Sequence, residues 1–571
     1  MRWGPQITAP GRTRFNLWAP ALDTLTLELA DTGDVAMGRD GDGWFSAEAA
    51  CGPGARYRFR LPDGTIVPDP ASRAQAGDVH GWSLVVDTAA FRGTSGWRGR
   101  PWREAVVREC HVGTAGGYAA IARSLPDLTA IGFTAIELMP LAAFGGTRNW
   151  GYDGVLPYAP AAAYGSPDEL KALIDAAHDA GLMVLLDVVY NHFGPDGNYL
   201  SLYAPDFFKA DVHTPWGGAI DFGREAVARF FIDNALQWLG DYGFDGLRLD
   251  AVHAIADTAF LDRLSAEVRA AFPDRHIHLI LENEHNDAAR LDGSYDAQWN
   301  DDFHNVLHVL LTDEAHGYYK DFAEAPVDKL ARCLAEGFIY QGQGSPNQKG
   351  RPRGTPSGHL SPIRFVSFLQ NHDQIGNRAM GERLTVLTSP ERLRAATGLL
   401  LLCPQIPLTF MGDETGSQAP FLFFTDFHDE LADAVREGRR GEFAGFPAFA
   451  DPDARAAIPD PNAAATFEAS RPVAGPNAEA WRGLYTRLLT LRHERIMPHL
   501  DDAEALGAEV IGEKAVVARW RLGPVRLTLA INLGDAPVAL AAPEGVLVEA
   551  IGTETPGDAL APAAFAAWVA G

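Results

Sequence analysis

The sequence predicts an α/β fold centred on a (β/α)₈ TIM barrel, with an N-terminal β-sandwich before it and a C-terminal antiparallel β domain after it. Three observations carry that prediction. From about Val106 to Met411, short and nearly continuous apolar runs alternate with helical stretches, as a parallel sheet covered on both faces requires. Several of those runs end in a carboxylate or an imidazole, and barrel enzymes place their working groups at strand ends. On either side of this middle region the texture changes to alternating β segments broken by turns. A chain of 571 residues also exceeds what one ordinary core organises, so several domains are expected.

In the first ninety or so residues, Arg14–Trp18, Thr24–Leu29 and Tyr57–Leu61 alternate apolar and polar side chains, with turn clusters such as Gly38–Gly43 between them. This is a β-sandwich by pattern, read first as a packing domain and second as a carbohydrate-binding accessory. From there the expected strands are Val106–His111, Ala135–Pro140, Leu182–Val189, Gly246–Val252, Ile277–Leu281, Phe365–Leu369 and Pro407–Met411. A weak eighth lies near Asp296–Trp299. Helices are expected at Tyr118–Thr129, at Arg224–Tyr242 and at Pro390–Leu402. Another opens at Ser166-Pro167-Asp168-Glu169, with serine at the N-cap, proline at N1 and glutamate at N3.

Between Asn191 and about Gly223 the chain is too long and too aromatic for an ordinary connection, and reads as a subdomain inserted over the barrel mouth. The Ala/Pro/Asp stretch Phe449–Asn477 reads as a mobile segment. After Met497, Ala515–Trp520 and Val525–Leu529 flank Gly523-Pro524 as a hairpin of the last β domain. The resulting boundaries are 1–92, 93–496 with the insertion at about 191–223, and 497–571.

A net charge of −26 argues against nucleic acid or an anionic membrane as partner, since both would be repelled. Neutral ligands such as sugars are compatible with it. Cys51, Cys110, Cys333 and Cys403 are far apart and form no CxxC pair, which excludes the usual zinc spacings and gives no disulfide framework. The first residues lack the apolar core of a secretory signal, and no apolar run approaches the ~18 residues that span a bilayer. The expectation is a cytoplasmic enzyme without a cofactor.

Reading each strand to its end isolates Asp187, Asp250, Glu282 and Asp373, accompanied by histidines at 192, 253 and 372. Cleaving a glycosidic bond needs two carboxyl groups with separated pKa values, one charged and one holding a proton. Arg248 lies two residues before Asp250, on the same strand face, and favours its charged form, so Asp250 suits a nucleophile. Glu282 follows Leu279-Ile280-Leu281 with no cation adjacent in sequence, and an apolar surround raises a carboxyl pKa as a general acid requires. Glu284 shares its strand parity and is the local rival.

The segments Asp187-Val188-Val189-Tyr190-Asn191-His192, Gly246-Leu247-Arg248-Leu249-Asp250-Ala251-Val252-His253, Glu282 and Asn371-His372-Asp373 resemble, in order, the four sequence regions of the α-amylase superfamily of glycoside hydrolases. The resemblance covers the chain from about Val106 to residue 415, and the flanking β domains match the same layout. It implies a retaining double displacement with Asp250 as nucleophile, Glu282 as general acid/base and Asp373 as transition-state stabiliser. It also implies that Tyr152, Asp187, His192, Arg248, His253, His372 and Gln374 bind substrate or orient these groups, with Tyr152 stacked under the sugar.

Further segments, among them Arg148–Gly154, Phe230–Ala235, Asn371–Arg378 and Ala419–Asp426, are most similar to the members that act on maltooligosyltrehalose, releasing its terminal trehalose. Functional coupling to the synthase that makes such a substrate is part of that implication. After the first strand, His111-Val112-Gly113-Thr114 runs directly into Ala115-Gly116-Gly117-Tyr118, a shorter loop than the family's, a departure that bears on the shape of one cleft wall and not on the chemistry. Phe421–Phe424 reads equally as a stacking wall or as core. Superfamily members often carry calcium near the inserted subdomain, with Asn191 as a candidate ligand, but no dense Asp/Asn cluster is present and no required metal is expected. A branching or debranching enzyme of the same superfamily, and a catalytically silent sugar-binding protein on the same fold, stand as the alternatives.

Overall fold

A computed structural model describes residues 3–91, 93–94, 96–214, 216–553 and 558–571. Arg92, the expected first boundary, and Pro215 within the insertion lie outside the described residues. The centre is a closed barrel of eight parallel strands in sequential order. They are β1 (Val107–Cys110), β2 (Ala135–Leu138), β3 (Met183–Val188), β4 (Gly246–Leu249), β5 (His278–Leu281), β6 (Ala297–Trp299), β7 (Phe365–Ser367) and β8 (Ile406–Phe410). The weak candidate near Asp296 is therefore the strand that closes the ring, paired to β5 and β7.

Side chains of successive strand residues point to opposite faces, so every second residue enters the barrel. Val107, Ala135, Met183, Leu185, Ile280, Ala297, Trp299 and Leu408 fill its interior, and Trp102 packs against them. Gly246 makes room in that layer, because a Cβ there would stand 2.5 Å from the His278 carbonyl and 2.9 Å from Leu185. Two residues further on, the same inward-facing register carries Glu109, Glu137, Asp187, Arg248 and Glu282. The barrel thus changes from apolar filling to a polar layer within one side-chain repeat.

Some expected elements end earlier than their composition suggests. β4 stops at Leu249, since Ala251 takes a left-handed backbone (φ 40°) that turns the chain out of the sheet and leaves Asp250 on the bend. The helix Glu225–Gln237 continues as a wider π-helical turn to Tyr242. Ser166 and Glu169 form the full capping box of the helix Pro167–Asp179. The insertion contains a short helix, Leu200–Tyr203, and a hairpin of Phe208–Thr214 with Gly217–Ile220.

Two antiparallel sheets precede the barrel and a five-stranded antiparallel sheet follows it. Trp3, Trp18 and Trp44 of the first region are buried, and the Trp3 indole donates to the Ala226 carbonyl at 2.9 Å on a barrel helix. Those three rings serve packing. The Phe449–Asn477 stretch carries two short helices, Pro452–Ala456 and Ala464–Ala469, and is tied to the 421–427 segment by Thr425 N–H to Pro461 and Leu422 N–H to the Ser470 hydroxyl. None of the described helices is long and apolar enough to cross a membrane.

Candidate active site

The polar layer opens at the carboxyl ends of the strands, and one guanidinium organises it. Arg248, on β4, is buried with its cation 4.0 Å above the Trp299 ring from β6. Its Nη1 donates to both oxygens of Asp187 and to Asp250 Oδ1, each at 2.8 Å. Its Nη2 lies 3.0 Å from Glu282 Oε2. Three carboxylates from β3, β4 and β5 therefore converge on one cation.

Asp250 also accepts from the Asn191 side-chain amide at 2.8 Å on Oδ2. Burial alone would raise its pKa, but Arg248, His192 and these hydrogen bonds outweigh it, and the carboxyl is held below the ordinary aspartate range. Glu282 goes the other way. Its Oε2 accepts from the Ala251 N–H at 2.7 Å and faces Arg248. Burial and the like charges of Asp250, Asp301 and Asp373 prevail over that cation and push its pKa well up. The expected apolar surround is corrected here: no cation is adjacent in sequence, but Arg248 touches Glu282 across the sheet, and desolvation with neighbouring carboxylates sets the direction. Glu284 is exposed and outside this cluster.

Asp373 sits on the short helix His372–Gly376 and accepts from the Asn377 amide. Burial raises its pKa. His372 donates to, and is gripped by, Glu109 of β1, which takes both the imidazole Nδ1 and the His372 N–H, the latter at 3.0 Å. Burial opposes a charged ring, yet the Glu109 carboxylate prevails and raises the imidazole pKa. Tyr152 lies face to face with that ring at 5.1 Å, and its hydroxyl donates to Asp187 at 2.5 Å. Asp187, pushed up to about 6 by burial, is enclosed behind Arg248 and Tyr152, so it holds these two groups and does not itself line the cleft.

His192 stacks on Trp216 of the inserted hairpin at 4.9 Å, and its Nε2 pairs with the Tyr152 carbonyl at 3.0 Å. His253 stands further out, stacked on His285 at 5.5 Å. The Gln374 carbonyl oxygen accepts from the Asn371 N–H at 3.0 Å, so that side chain caps the short helix and has only its amide nitrogen left for a ligand. Asn191, the calcium candidate, spends its amide nitrogen on Asp250 and its oxygen on His192, and a cation taking that oxygen would have to displace His192. The described residues contain no group of three or more His, Cys, Asp or Glu that could hold a metal.

Phe421 and Phe424 are buried, against Trp150, Phe410, His111 and Phe467, so that pair is core. Phe423 alone is partly open. The short loop after β1 is backed by the same cluster: Tyr164 and Phe467 stand 3.0 and 3.3 Å from where a Gly113 side chain would begin. Sequence reasoning missed Glu109, Trp299 and Asp301. Its end-of-strand rule, applied to β1 and β6 as well, would have reached all three.

The alpha amylase catalytic-domain family model matches residues 74–205, and a domain of unknown function (DUF3459) matches 503–568. The chain is 42% identical to a malto-oligosyltrehalose trehalohydrolase of Deinococcus radiodurans over 93% of its own length and 89% of the relative's. It is 39% identical to the enzyme of that name from Saccharolobus solfataricus over 77% of this chain and 80% of that one. A solved structure from Salmonella typhimurium, described as an alpha amylase, superimposes with a TM-score of 0.95 at 44% identity, covering 100% of this chain and 99% of the other. With its barrel, its three strand-end carboxylates and these full-length relatives, the chain belongs to the malto-oligosyltrehalose trehalohydrolases of the α-amylase family of glycoside hydrolases.

Proposed function

We propose that the protein hydrolyses, with retention, the α-1,4-glucosidic bond next to the terminal trehalose of maltooligosyltrehalose, giving trehalose and a maltooligosaccharide. The observation that carries the chemistry is the shared guanidinium, with Asp250 on one terminal nitrogen and Glu282 on the other, their pKa values displaced in opposite directions. Such a bridge is compatible with the carboxylate separation of roughly 5 Å found in retaining pairs. The substrate comes from the relatives' names.

Asp250 attacks the anomeric carbon while Glu282 gives its proton to the departing glycosidic oxygen, which leaves on trehalose. Water then enters, surrenders a proton to Glu282, and displaces Asp250 from the sugar. Because Glu282 Oε2 already accepts from the Ala251 N–H and faces the Arg248 cation, Oε1 is the oxygen free to carry the proton. Asp373 and His372 serve as hydroxyl partners of the sugar at the cleavage point, with Tyr152 as its stacking surface. His192 and His253 flank that sugar, and Gln374 reaches it through its amide nitrogen. In a reaction sequence the enzyme follows the synthase that makes the trehalose-ended chain. Four free thiols, three of them buried, agree with a reducing, cytoplasmic setting.

The test is incubation with maltotriosyltrehalose and, separately, with maltopentaose, products being resolved by chromatography. Rapid trehalose release from the first and slow attack on the second is the expected result. Equal attack on both reduces the enzyme to a general α-1,4-glucan hydrolase, and new branch points would make it a branching enzyme.

A further inference from the structure

A fourth carboxylate faces this cluster without a task. Asp301 follows β6 by two residues, in the inward register of Ala297 and Trp299, at the start of the helix Asp301–Thr312. Its neighbour Asp302 is engaged elsewhere: one oxygen accepts from the Asn286 amide and from the Ile339 and Tyr340 N–H groups, and the other is ion-paired with Arg353 at 3.1 Å. Among the described residues, Asp301 has neither a hydrogen-bond nor an ion-pair partner, although it is only partly exposed. Burial and the nearby Asp373 push its pKa up to about 7, and Glu282 in turn feels its charge.

Position around the barrel makes Asp301 a neighbour of the general acid. Asp250, Glu282, Asp301 and Asp373 come from β4, β5, β6 and β7 in turn. The general acid must stand beside the departing oxygen, and Asp301 comes from the strand next to it. A partly buried carboxylate there, with lone pairs that no donor meets, matches the hydroxyls of a departing sugar. We propose that Asp301 contacts the leaving-group sugar directly, accepting hydrogen bonds from its hydroxyls, and so helps the enzyme to favour a saccharide leaving group. This assignment rests on the function proposed above. The competing role, an acidic residue complementing a helix N-terminus, would show in stability and would not depend on the leaving group.

The experiment compares the wild type with Asp301→Asn on maltotriosyltrehalose, maltopentaose and a 4-nitrophenyl α-maltooligoside cut at the aryl bond. The first two expel a sugar; the third expels a phenol without sugar hydroxyls. Expected is a loss of about 10- to 100-fold in kcat/KM on both saccharide leaving groups, with aryl release nearly unchanged. Retained aryl release shows at once that the variant is folded. Equal loss on all three substrates, or no loss on any, overturns the assignment. A wild type that shows no preference for the trehalose-ended substrate would instead count against the proposed function, while the saccharide-to-aryl comparison would still decide the role of Asp301.

Discussion

Arg248 sorts two carboxylates that would otherwise titrate alike. Asp250 is drawn below its ordinary pKa by Arg248, His192 and Asn191 against the pull of burial. Glu282 is held above its own by burial and by Asp250, Asp301 and Asp373, against the same arginine. On the proposed roles Asp250 must be charged and Glu282 protonated, so activity appears as pH rises past the first group and disappears as it rises past the second. Arg248→Lys keeps a charge but not the fork that serves both partners. The acid limb of kcat/KM should then move to higher pH as Asp250 loses its donor, with kcat down by about 100-fold. An acid limb left in place would show that Arg248 does not set the ionisation of Asp250. The sequence made the Arg248–Asp250 contact legible, because two residues along a strand share a face. Contact with Glu282 spans two strands, and nothing in the spacing reveals it.

Among the elements, the short helix His372–Gly376 holds its place through contacts to other strands. Asn371 and Gln374 cap it reciprocally, and Glu109 of β1 fastens its first residue to a strand two places round the barrel. Glu109→Gln retains a hydrogen-bonding shape but removes the charge that favours the imidazolium. We expect kcat/KM to fall about 10- to 100-fold with the thermal midpoint little changed. Unaltered kinetics would remove Glu109 from the machinery. Strands were legible wherever a buried run was long, as at Leu182–Val189. The ends were less so: a left-handed Ala251 stops β4, and that is a backbone choice no side-chain pattern announces. Phe421–Phe424 was ambiguous for a related reason, since aromatic composition suits a sugar platform and a core equally.

At the scale of the whole molecule, the barrel and the last sheet share a buried helix. Pro390–Leu402 is enclosed over most of its length, and at Gly398 the facing sheet comes close. A Cβ there would stand 2.6 Å from the Phe565 ring and 2.8 Å from Ile551. Arg492, fully buried, ties the same region together by donating to the carbonyls of Leu401, Cys403 and Gln405. Gly398→Ala gains about 1 kcal/mol of helix propensity, yet overpacking of about 1–3 kcal/mol should outweigh it. Calorimetry should therefore show a lower melting temperature, and an unchanged or higher one would mean that the sheet can shift to accommodate the methyl group. The three-part layout was readable from texture alone, whereas this docking was not. Its key residue is a glycine within a helix, and only the facing sheet gives it meaning.

The arrangement at Arg248 also has a bearing on charge conservation through the proposed cycle. When Asp250 becomes an ester its negative charge vanishes, and in the same step Glu282 becomes negative by losing its proton. The guanidinium therefore faces the same total charge before and after, merely exchanged between its two terminal nitrogens. With the ester formed, Glu282 no longer feels the charge of Asp250, so its pKa falls and it stands deprotonated, ready to take the proton from the incoming water. One fixed cation can thus serve both half-reactions without any movement of the chain.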